Sequence, residues 1–175
     1  MEEVCFTKGK EAYYNEAAKI LESSSTFKAL AKTPTLFISS QRRLPHQKAY
    51  YKKLMEAIES GGVAMEYIFS LPLTQEEILN IASSDQRQAL SDLGAWDKFS
   101  NHPKIDLRYM EGRNPFSCVI GDKHTAVLFV YPGGERGCMT VLNERVPFYM
   151  EVFSQLFKGA SRDNRSAIAR VGKLV

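Results

Sequence analysis

Hydrophobic and polar positions along this chain fall into blocks that predict helices and strands in turn. Apolar residues recur at helical spacing within Glu11–Ser23 and His46–Ser60, and shorter apolar runs lie around these blocks. The predicted strands are Val4–Phe6, Thr35–Ile38, Val63–Ser70, Ile105–Met110, Phe116–Ile120 and Thr125–Tyr131. The remaining predicted helices are a segment opened by Thr74 that reaches Asn80–Ser83, then Gln86–Phe99 and Arg145–Lys158. This alternation predicts an α/β fold with a mixed β-sheet flanked by helices.

Local signals mark the ends of two helices. Thr74 with Glu77 three residues later matches a capping box, in which each residue's side chain binds the backbone N–H of the other. Gly61-Gly62 follows the second helix, and glycine readily takes the left-handed conformation that ends a helix. These signals place a helix start at residue 74 and a helix end near residue 60.

A β-hairpin is predicted over residues 116–131. Its two apolar runs are joined by Gly121-Asp122, a dipeptide typical of tight turns. Because side chains alternate along a strand, Phe116 and Cys118 are expected on one face and Ser117 and Val119 on the other. An Asp in such a turn binds local backbone groups, which is one interpretation of Asp122.

The hairpin also resembles the one that carries the HxKxxxxD motif of the phospholipase D superfamily. In that register Asp122 takes the place of the motif's Asp, whereas Pro115 and Ser117 replace its His and Lys. The segment from Ala57 to Met65 is similar to a helix–glycine–strand segment of the same superfamily. The resemblance implies a phospholipase D-like half-domain that lacks the nucleophile and the phosphate-binding cation, and therefore no catalytic residues.

Within this superfamily the chain resembles the effector domain of archaeal TrmB-type transcription regulators. The matching features are Pro115-Phe116-Ser117 with Asp122, the glycines Gly133-Gly134 and the aromatic helix residues Phe153–Phe157. The resemblance implies a ligand-sensing or interaction domain. It also implies nucleic-acid binding only through a separate DNA-binding domain, so the chain is expected to be either stand-alone or part of a longer regulator.

Composition excludes several other classes of protein. The net charge of +3 is too small to indicate a nucleic-acid partner by itself, and no apolar run approaches the length of a membrane span. Three cysteines without a CxxC pair suggest reduced core thiols in a cytoplasmic protein. Neither a metal site nor a cofactor is indicated, because no set of ligands is clustered at short spacing.

The candidate ligand-binding residues are polar side chains expected at strand ends or in the hairpin. They are Ser39, Ser40, Arg42, Arg43, Arg108, Arg113, Ser117 and Asp122. In open α/β sheets ligands bind at the carboxyl ends of strands, and guanidinium groups suit phosphate or carboxylate. We therefore expect Arg42, Arg43 and Arg113 to converge on a small anionic or sugar-like ligand.

Two alternative functions remain open at this point. One is a phosphodiesterase or nuclease with an atypical site; the sequence His46-Gln47-Lys48 is a literal HxK, but it lies at a helix start. The other is a nucleic-acid-binding module that uses the arginines and the basic residues of 159–175. The glycine-rich run Gly133–Gly137 lacks the features of a phosphate loop and is interpreted as a connection between strands.

The predicted organisation is one domain over residues 1–158, followed by residues 159–175 as a basic tail or a short helix, Asn164–Val171. A lone half-domain would leave an apolar sheet face uncovered at Val127, Phe129 and Tyr131, which favours a homodimer. In the alternative, the helix Arg145–Lys158 covers this face within one chain.

Overall fold

The computed structural model describes residues 5–32, 35–38, 40, 43–71, 74–112, 114, 116–130, 133–142 and 145–175. Its strands are β1 (Cys5–Lys8), β2 (Thr26–Ala31), β3 (Ala64–Leu71), β4 (Ile105–Glu111), β5 (Ser117–Ile120), β6 (His124–Val130) and β7 (Arg136–Leu142). Its helices are α1 (Lys10–Glu22), α2 (Thr35–Ile38), α3 (Pro45–Glu59), α4 (Gln75–Ile81), α5 (Gln86–Ser100), α6 (Val146–Gly159) and α7 (Asn164–Gly172).

Within the described residues the strands form one seven-stranded mixed sheet in the order β1-β7-β6-β5-β2-β3-β4. Strands β2, β3 and β4 run parallel, and every other neighbouring pair is antiparallel. The predicted α/β class with a mixed sheet is thereby confirmed. Strand β2 lies where the parallel part of the sheet meets the antiparallel part. Its neighbours are the parallel strand β3 on one side and the antiparallel hairpin strand β5 on the other.

The predicted strand at Thr35–Ile38 is wrong. These residues form α2, and the strand lies earlier, at Thr26–Ala31. Periodicity does not distinguish a helix from a strand in a four-residue apolar run, and Lys28 with two alanines weakens the strand pattern of Thr26–Ala31. In the folded sheet Lys28 forms an ion pair with Glu66 on β3, so the neighbouring strand supplies the partner that this charge needs.

The two faces of the sheet carry separate hydrophobic cores. Helices α1, α3, α5 and α7 contribute to the larger core, and α6 contributes to the smaller core on the other face. Val119 belongs to the larger core while Cys118 and Phe116 belong to the smaller one, which confirms the predicted alternation along β5. Val127 is buried against α6, whereas Phe129 stays partly exposed. Tyr131 lies outside the described residues.

Several local predictions can be compared directly with the structure. The capping box is confirmed, because the hydroxyl of Thr74 accepts a hydrogen bond from the backbone N–H of Glu77 at 3.2 Å. The expectation of core thiols is correct for Cys118 and Cys138, which are buried, but wrong for Cys5, which is exposed on β1. That strand lies at the edge of the sheet, and an edge strand has only one neighbour to cover it.

Helix α7 is attached to the body of the domain through a buried amide. Asn164 accepts a hydrogen bond from Nε1 of Trp96 at 3.0 Å and donates one from Nδ2 to the carbonyl oxygen of Leu107 at 2.8 Å. Ala167 and Val171 on the same helix are buried in the larger core. This stretch of basic sequence is therefore a packed helix that bridges α5 and β4.

Candidate functional site

A small cavity lies at the carboxyl end of β2, between the sheet and helices α1 and α3. We call it the tyrosine pocket. The residues that line it are Tyr13, Tyr14, Ala29, Leu30, Ala31, Lys32, Tyr50, Tyr67, Ser117 and Val119. Its volume of about 40 Å³ has room for about three water molecules, and thus for one functional group of a ligand. None of the described residues that line it is acidic.

The helices and strands place the tyrosines by simple periodicity. Tyr13 lies one turn before Ala17 on the buried stripe of α1, and Tyr50 lies one turn before Leu54 on α3. Tyr67 points from β3 to the same face of the sheet, which belongs to the larger core. Each ring is thus fixed by packing while its hydroxyl reaches the carboxyl end of β2.

Only one of these tyrosines has a hydrogen-bonded hydroxyl among the described residues. The oxygen of Tyr14 accepts a hydrogen bond from Nε2 of Gln47 at 3.1 Å. The hydroxyls of Tyr13, Tyr50 and Tyr67 bind no other described residue, although each side chain is at least 95% buried. These oxygens are not among the fully enclosed polar atoms without a partner in the described part of the chain, so they open into the pocket, where water or a ligand group can bind them.

Burial also fixes the protonation of these hydroxyls. Burial raises the pKa of Tyr13, Tyr50 and Tyr67 above the ordinary value of 10.0, and the closeness of the other tyrosine hydroxyls raises it further. The positive charge of Arg43 acts in the opposite direction on the pKa of Tyr67, but burial is the largest cause and the pKa stays raised. At neutral pH all three hydroxyls are protonated and can donate hydrogen bonds.

Ser117 lines the pocket, and Asn114 binds the backbone of the lining residue Ala31. The hydroxyl oxygen of Ser117 accepts a hydrogen bond from the backbone N–H of Lys32 at 3.0 Å, which leaves the hydroxyl hydrogen for a second partner. Asn114 joins the ends of two strands: its N–H donates to the hydroxyl of Ser70 and its Nδ2 donates to the carbonyl oxygen of Ala31, both at 2.7 Å. Its buried Oδ1 has no hydrogen-bond partner in the described part of the chain.

The predicted arginine site is only partly described. Ser39, Arg42 and Arg113 lie outside the described residues. Arg43 stacks on the ring of Tyr51, with its central carbon 4.0 Å from the ring centre. Ser40 instead joins α5: its N–H donates to Asp92 at 3.1 Å, and its hydroxyl accepts from Gln88 at 2.8 Å.

Arg108 lies on the face of the sheet opposite the pocket. Its Nε and Nη2 donate to the two carboxylate oxygens of Asp106 at 3.1 and 3.0 Å, and its Nη1 donates to the carbonyl oxygen of Phe157 at 2.7 Å. The guanidinium also stacks over the Phe157 ring, 3.7 Å from its centre. These contacts connect β4 to the end of α6, so Arg108 has a structural role here.

Asp122 lies at the opposite end of β2 from Ser117, about 20 Å away at the usual rise of a strand. Its carboxylate accepts hydrogen bonds from the backbone N–H groups and hydroxyls of Ser25 and Thr26. The hydroxyl of Thr26 and the N–H of Ser25 are the main causes that lower the pKa of Asp122 to about 2. Asp122 therefore attaches the hairpin turn to the start of β2 and does not join Ser117 in a site.

A larger open groove of about 600 Å³ lies near Asp122, at the amino ends of β2, β3 and β4. Its charged side chains have partners within the protein: Lys28 pairs with Glu66, and Asp106 pairs with Arg108 and Arg162. The tyrosine pocket is the better candidate site, because the hydroxyls of Tyr13, Tyr50 and Tyr67 have no such partners among the described residues.

The sequence reasoning found Ser117 but missed the tyrosines and Asn114. The available signal was the presence of hydroxyl-bearing rings on the apolar stripes of two predicted helices, at Tyr13 and Tyr50.

No family model matches the chain, and no curated protein matches its sequence. In the described residues no helix is long and apolar enough to cross a membrane. The same residues contain no group of three or more His, Cys, Asp or Glu side chains that could hold a metal ion.

Proposed function

We propose that this chain is a non-catalytic domain of the phospholipase D-like type whose tyrosine pocket binds one oxygen-rich group of a small ligand. The observation that carries the proposal is that the hydroxyl-bearing residues Tyr13, Tyr50 and Tyr67 line this pocket and that their hydroxyls have no hydrogen-bond partner among the described residues. Protonated hydroxyls at Tyr13, Tyr50 and Tyr67 donate hydrogen bonds, and Lys32 adds a positive charge. Such a lining suits a phosphate or carboxylate group, or the hydroxyls of a sugar.

Catalysis is not part of the proposal. Pro115 and Ser117 stand where the superfamily motif has its His and Lys, and the described lining of the pocket offers Ser117 no carboxylate or imidazole as a base. The purified protein should therefore show no turnover of bis-p-nitrophenyl phosphate. Turnover that disappears in Ser117→Ala would contradict the proposal.

The biological role that fits this proposal is that of a cytoplasmic sensor. The resemblance to regulator effector domains supports a module that responds to a small anionic or sugar-like ligand. In that role a separate DNA-binding domain would contact nucleic acid, and this domain would change its stability or shape when the ligand enters the pocket.

Ligand binding can be tested by thermal unfolding with inorganic phosphate, glycerol 3-phosphate and glucose in parallel. A ligand at ten times its dissociation constant should raise the melting temperature by about 3 to 5 °C. Tyr67→Phe removes one donor and should weaken binding about tenfold. Tyr149→Phe is the matched control, because Tyr149 packs against Phe116 on the other face of the sheet.

Two results would overturn the proposal. One is the absence of any stabilisation by the three probes up to their solubility limits. The other is an equal loss of affinity in Tyr67→Phe and Tyr149→Phe, because this would place the ligand somewhere other than the tyrosine pocket.

A further inference from the structure

Strand β1 lies at an edge of the sheet, and its pairing with β7 shows which of its backbone groups point away from the sheet. The N–H of Gly9 donates to the carbonyl oxygen of Arg136 at 2.8 Å, in line with the register that pairs Thr7 with Cys138. Hydrogen-bonded pairs alternate in an antiparallel ladder, so Thr7 also directs its backbone groups toward β7. The N–H and C=O groups of Phe6 and Lys8 therefore point outward, away from the sheet.

All four residues of β1 are exposed, and the described part of the chain places no further strand against them. Phe6 is 60% exposed and meets Phe129 edge-on, with ring centres 6.3 Å apart. Lys8 is the one charged residue of the strand, and its ammonium lies 3.5 Å from Glu135 at the rim. An edge with an exposed aromatic ring and outward backbone groups is suited to pairing with another strand.

We propose that β1 pairs antiparallel with β1 of a second copy of this chain, about a two-fold axis at Thr7. In that register Phe6 of each copy faces Lys8 of the other, and the two Thr7 residues face each other. The four outward N–H and C=O groups of each copy then form four hydrogen bonds between the copies. The two seven-stranded sheets become one continuous sheet across the axis.

A second copy fits this edge for two reasons. A two-fold axis makes two identical strands antiparallel, so the same residues satisfy each other on both sides. The register at Thr7 keeps the two Lys8 ammonium groups apart and sets each one beside the exposed ring of Phe6, where a cation–π contact is favourable. The same register places the Thr7 side chains of the two copies opposite each other, and a Thr–Thr pair is a stabilising cross-strand combination.

The interface is small, so the dimer should be weak. Phe6 contributes about 120 Å² of exposed ring surface per copy, whereas a standard stable interface buries about 800 Å² per partner. We expect the mass to rise from 19.8 kDa toward twice that value as the concentration increases from about 1 to about 500 μM. Sedimentation velocity and light scattering both measure this change.

Two variants test the edge itself. Phe6→Pro removes an outward N–H and the exposed ring, and a proline is tolerated at such an edge position. It should shift the dimerisation midpoint at least tenfold to higher concentration while leaving the circular dichroism spectrum unchanged. The matched control is Phe148→Ser, which removes an equally exposed ring on α6 and should not change the midpoint. A constant mass near 19.8 kDa at every concentration, or equal effects of the two variants, would overturn the proposal.

The register has its own test by cross-linking. In a Cys5→Ser and Cys138→Ala background, Thr7→Cys should form a disulfide-linked dimer under mild oxidation, because facing residues of a non-hydrogen-bonded pair lie within disulfide reach. Asn15→Cys, exposed on α1, is the control and should stay monomeric on a reducing-agent-free gel. Cross-linking of the unmodified protein through Cys5 alone would contradict the register at Thr7.

Discussion

Replacement of Asn164 by alanine should destabilise the domain strongly, although the sequence of residues 159–175 is compatible with a basic tail as well as with a short helix. Asn164 is 6% exposed, and its side chain makes hydrogen bonds to Trp96, to Leu107 and, at 3.2 Å, to the carbonyl oxygen of the nearby Arg162. Asn164→Ala removes the partner that Trp96 and Leu107 share. The indole N–H of Trp96 and the backbone carbonyl of Leu107 then stay buried without that hydrogen bond. Helix α7 then loses its hydrogen bond to α5, while the ion pair of Arg170 with Glu111 on β4 remains.

The size of the effect follows from these two groups. A buried donor or acceptor that loses its partner costs about 1 to 3 kcal/mol, so two such groups predict a loss of about 3 kcal/mol once some water enters. For a chain of this size that corresponds to a melting temperature lower by about 6 to 12 °C. The midpoint of urea unfolding should fall by about 1.5 M at an unchanged slope.

The assay uses the single tryptophan of the chain. Trp96 is fully buried and binds Asn164 directly, so its fluorescence reports unfolding from the site of the change. Arg165→Ala, on the exposed side of the same helix turn, is the matched control and should cost less than about 0.5 kcal/mol. In a Trp96→Phe background, followed by circular dichroism, Asn164→Ala should cost about 1 kcal/mol less because the indole N–H is already absent.

The reasoning would be refuted by a loss below about 1 kcal/mol for Asn164→Ala, or by equal effects of the Asn164 and Arg165 variants. The first result would mean that water replaces both hydrogen bonds without cost. The second would mean that α7 contributes through its helical backbone alone.

Three further predictions concern other parts of the sheet. The pKa of Asp122 is lowered from 3.8 to about 2, so its stabilising effect is complete above about pH 4 and is lost as the pH falls through about 2; the stability difference from Asp122→Asn should shrink over that range in urea melts. Cys5 should react at once with Ellman's reagent, whereas Cys118, buried and with its pKa raised to about 12, should react only after unfolding; fast reaction of Cys118 would contradict its placement. Arg108→Lys should lower the stability by about 1 to 2 kcal/mol because it loses the two-pronged contact with Asp106, and an unchanged urea midpoint would rule that contact out.

The parts of the fold that were predictable are those set by neighbouring residues. The capping box at Thr74, the hairpin turn at Gly121 and the alternation along β5 each depend on a few consecutive side chains. Strand β2 was missed because its stability comes from elsewhere in the chain. Lys28 would disfavour a central strand, but its partner Glu66 lies on β3, and sequence spacing does not show this pairing.

The candidate site was less predictable than the fold. Ser117 was identified through its position in the hairpin, but Tyr13, Tyr50 and Tyr67 come from two helices and a strand that meet only in three dimensions. Their spacing matches no motif, because the pocket needs only hydroxyls at the end of β2 and does not need them in a fixed order. Asp122 was predicted to bind a ligand, but its carboxylate instead accepts hydrogen bonds from residues at the start of β2 and so stabilises the sheet.

The position of β2 in the sheet determines the order in which the protein can fold. Both neighbours of this strand come later in the chain, and Asp122 binds a residue 97 positions before it. A growing chain therefore exposes the β5 side of β2 until about residue 120 has been made, and β1 has no neighbour until β7 follows. Pairings this distant in sequence slow folding and keep strand edges open to other chains. Strand β7, which pairs with both β6 and β1, therefore completes the sheet, and its synthesis should end the period in which the nascent protein is most prone to aggregate.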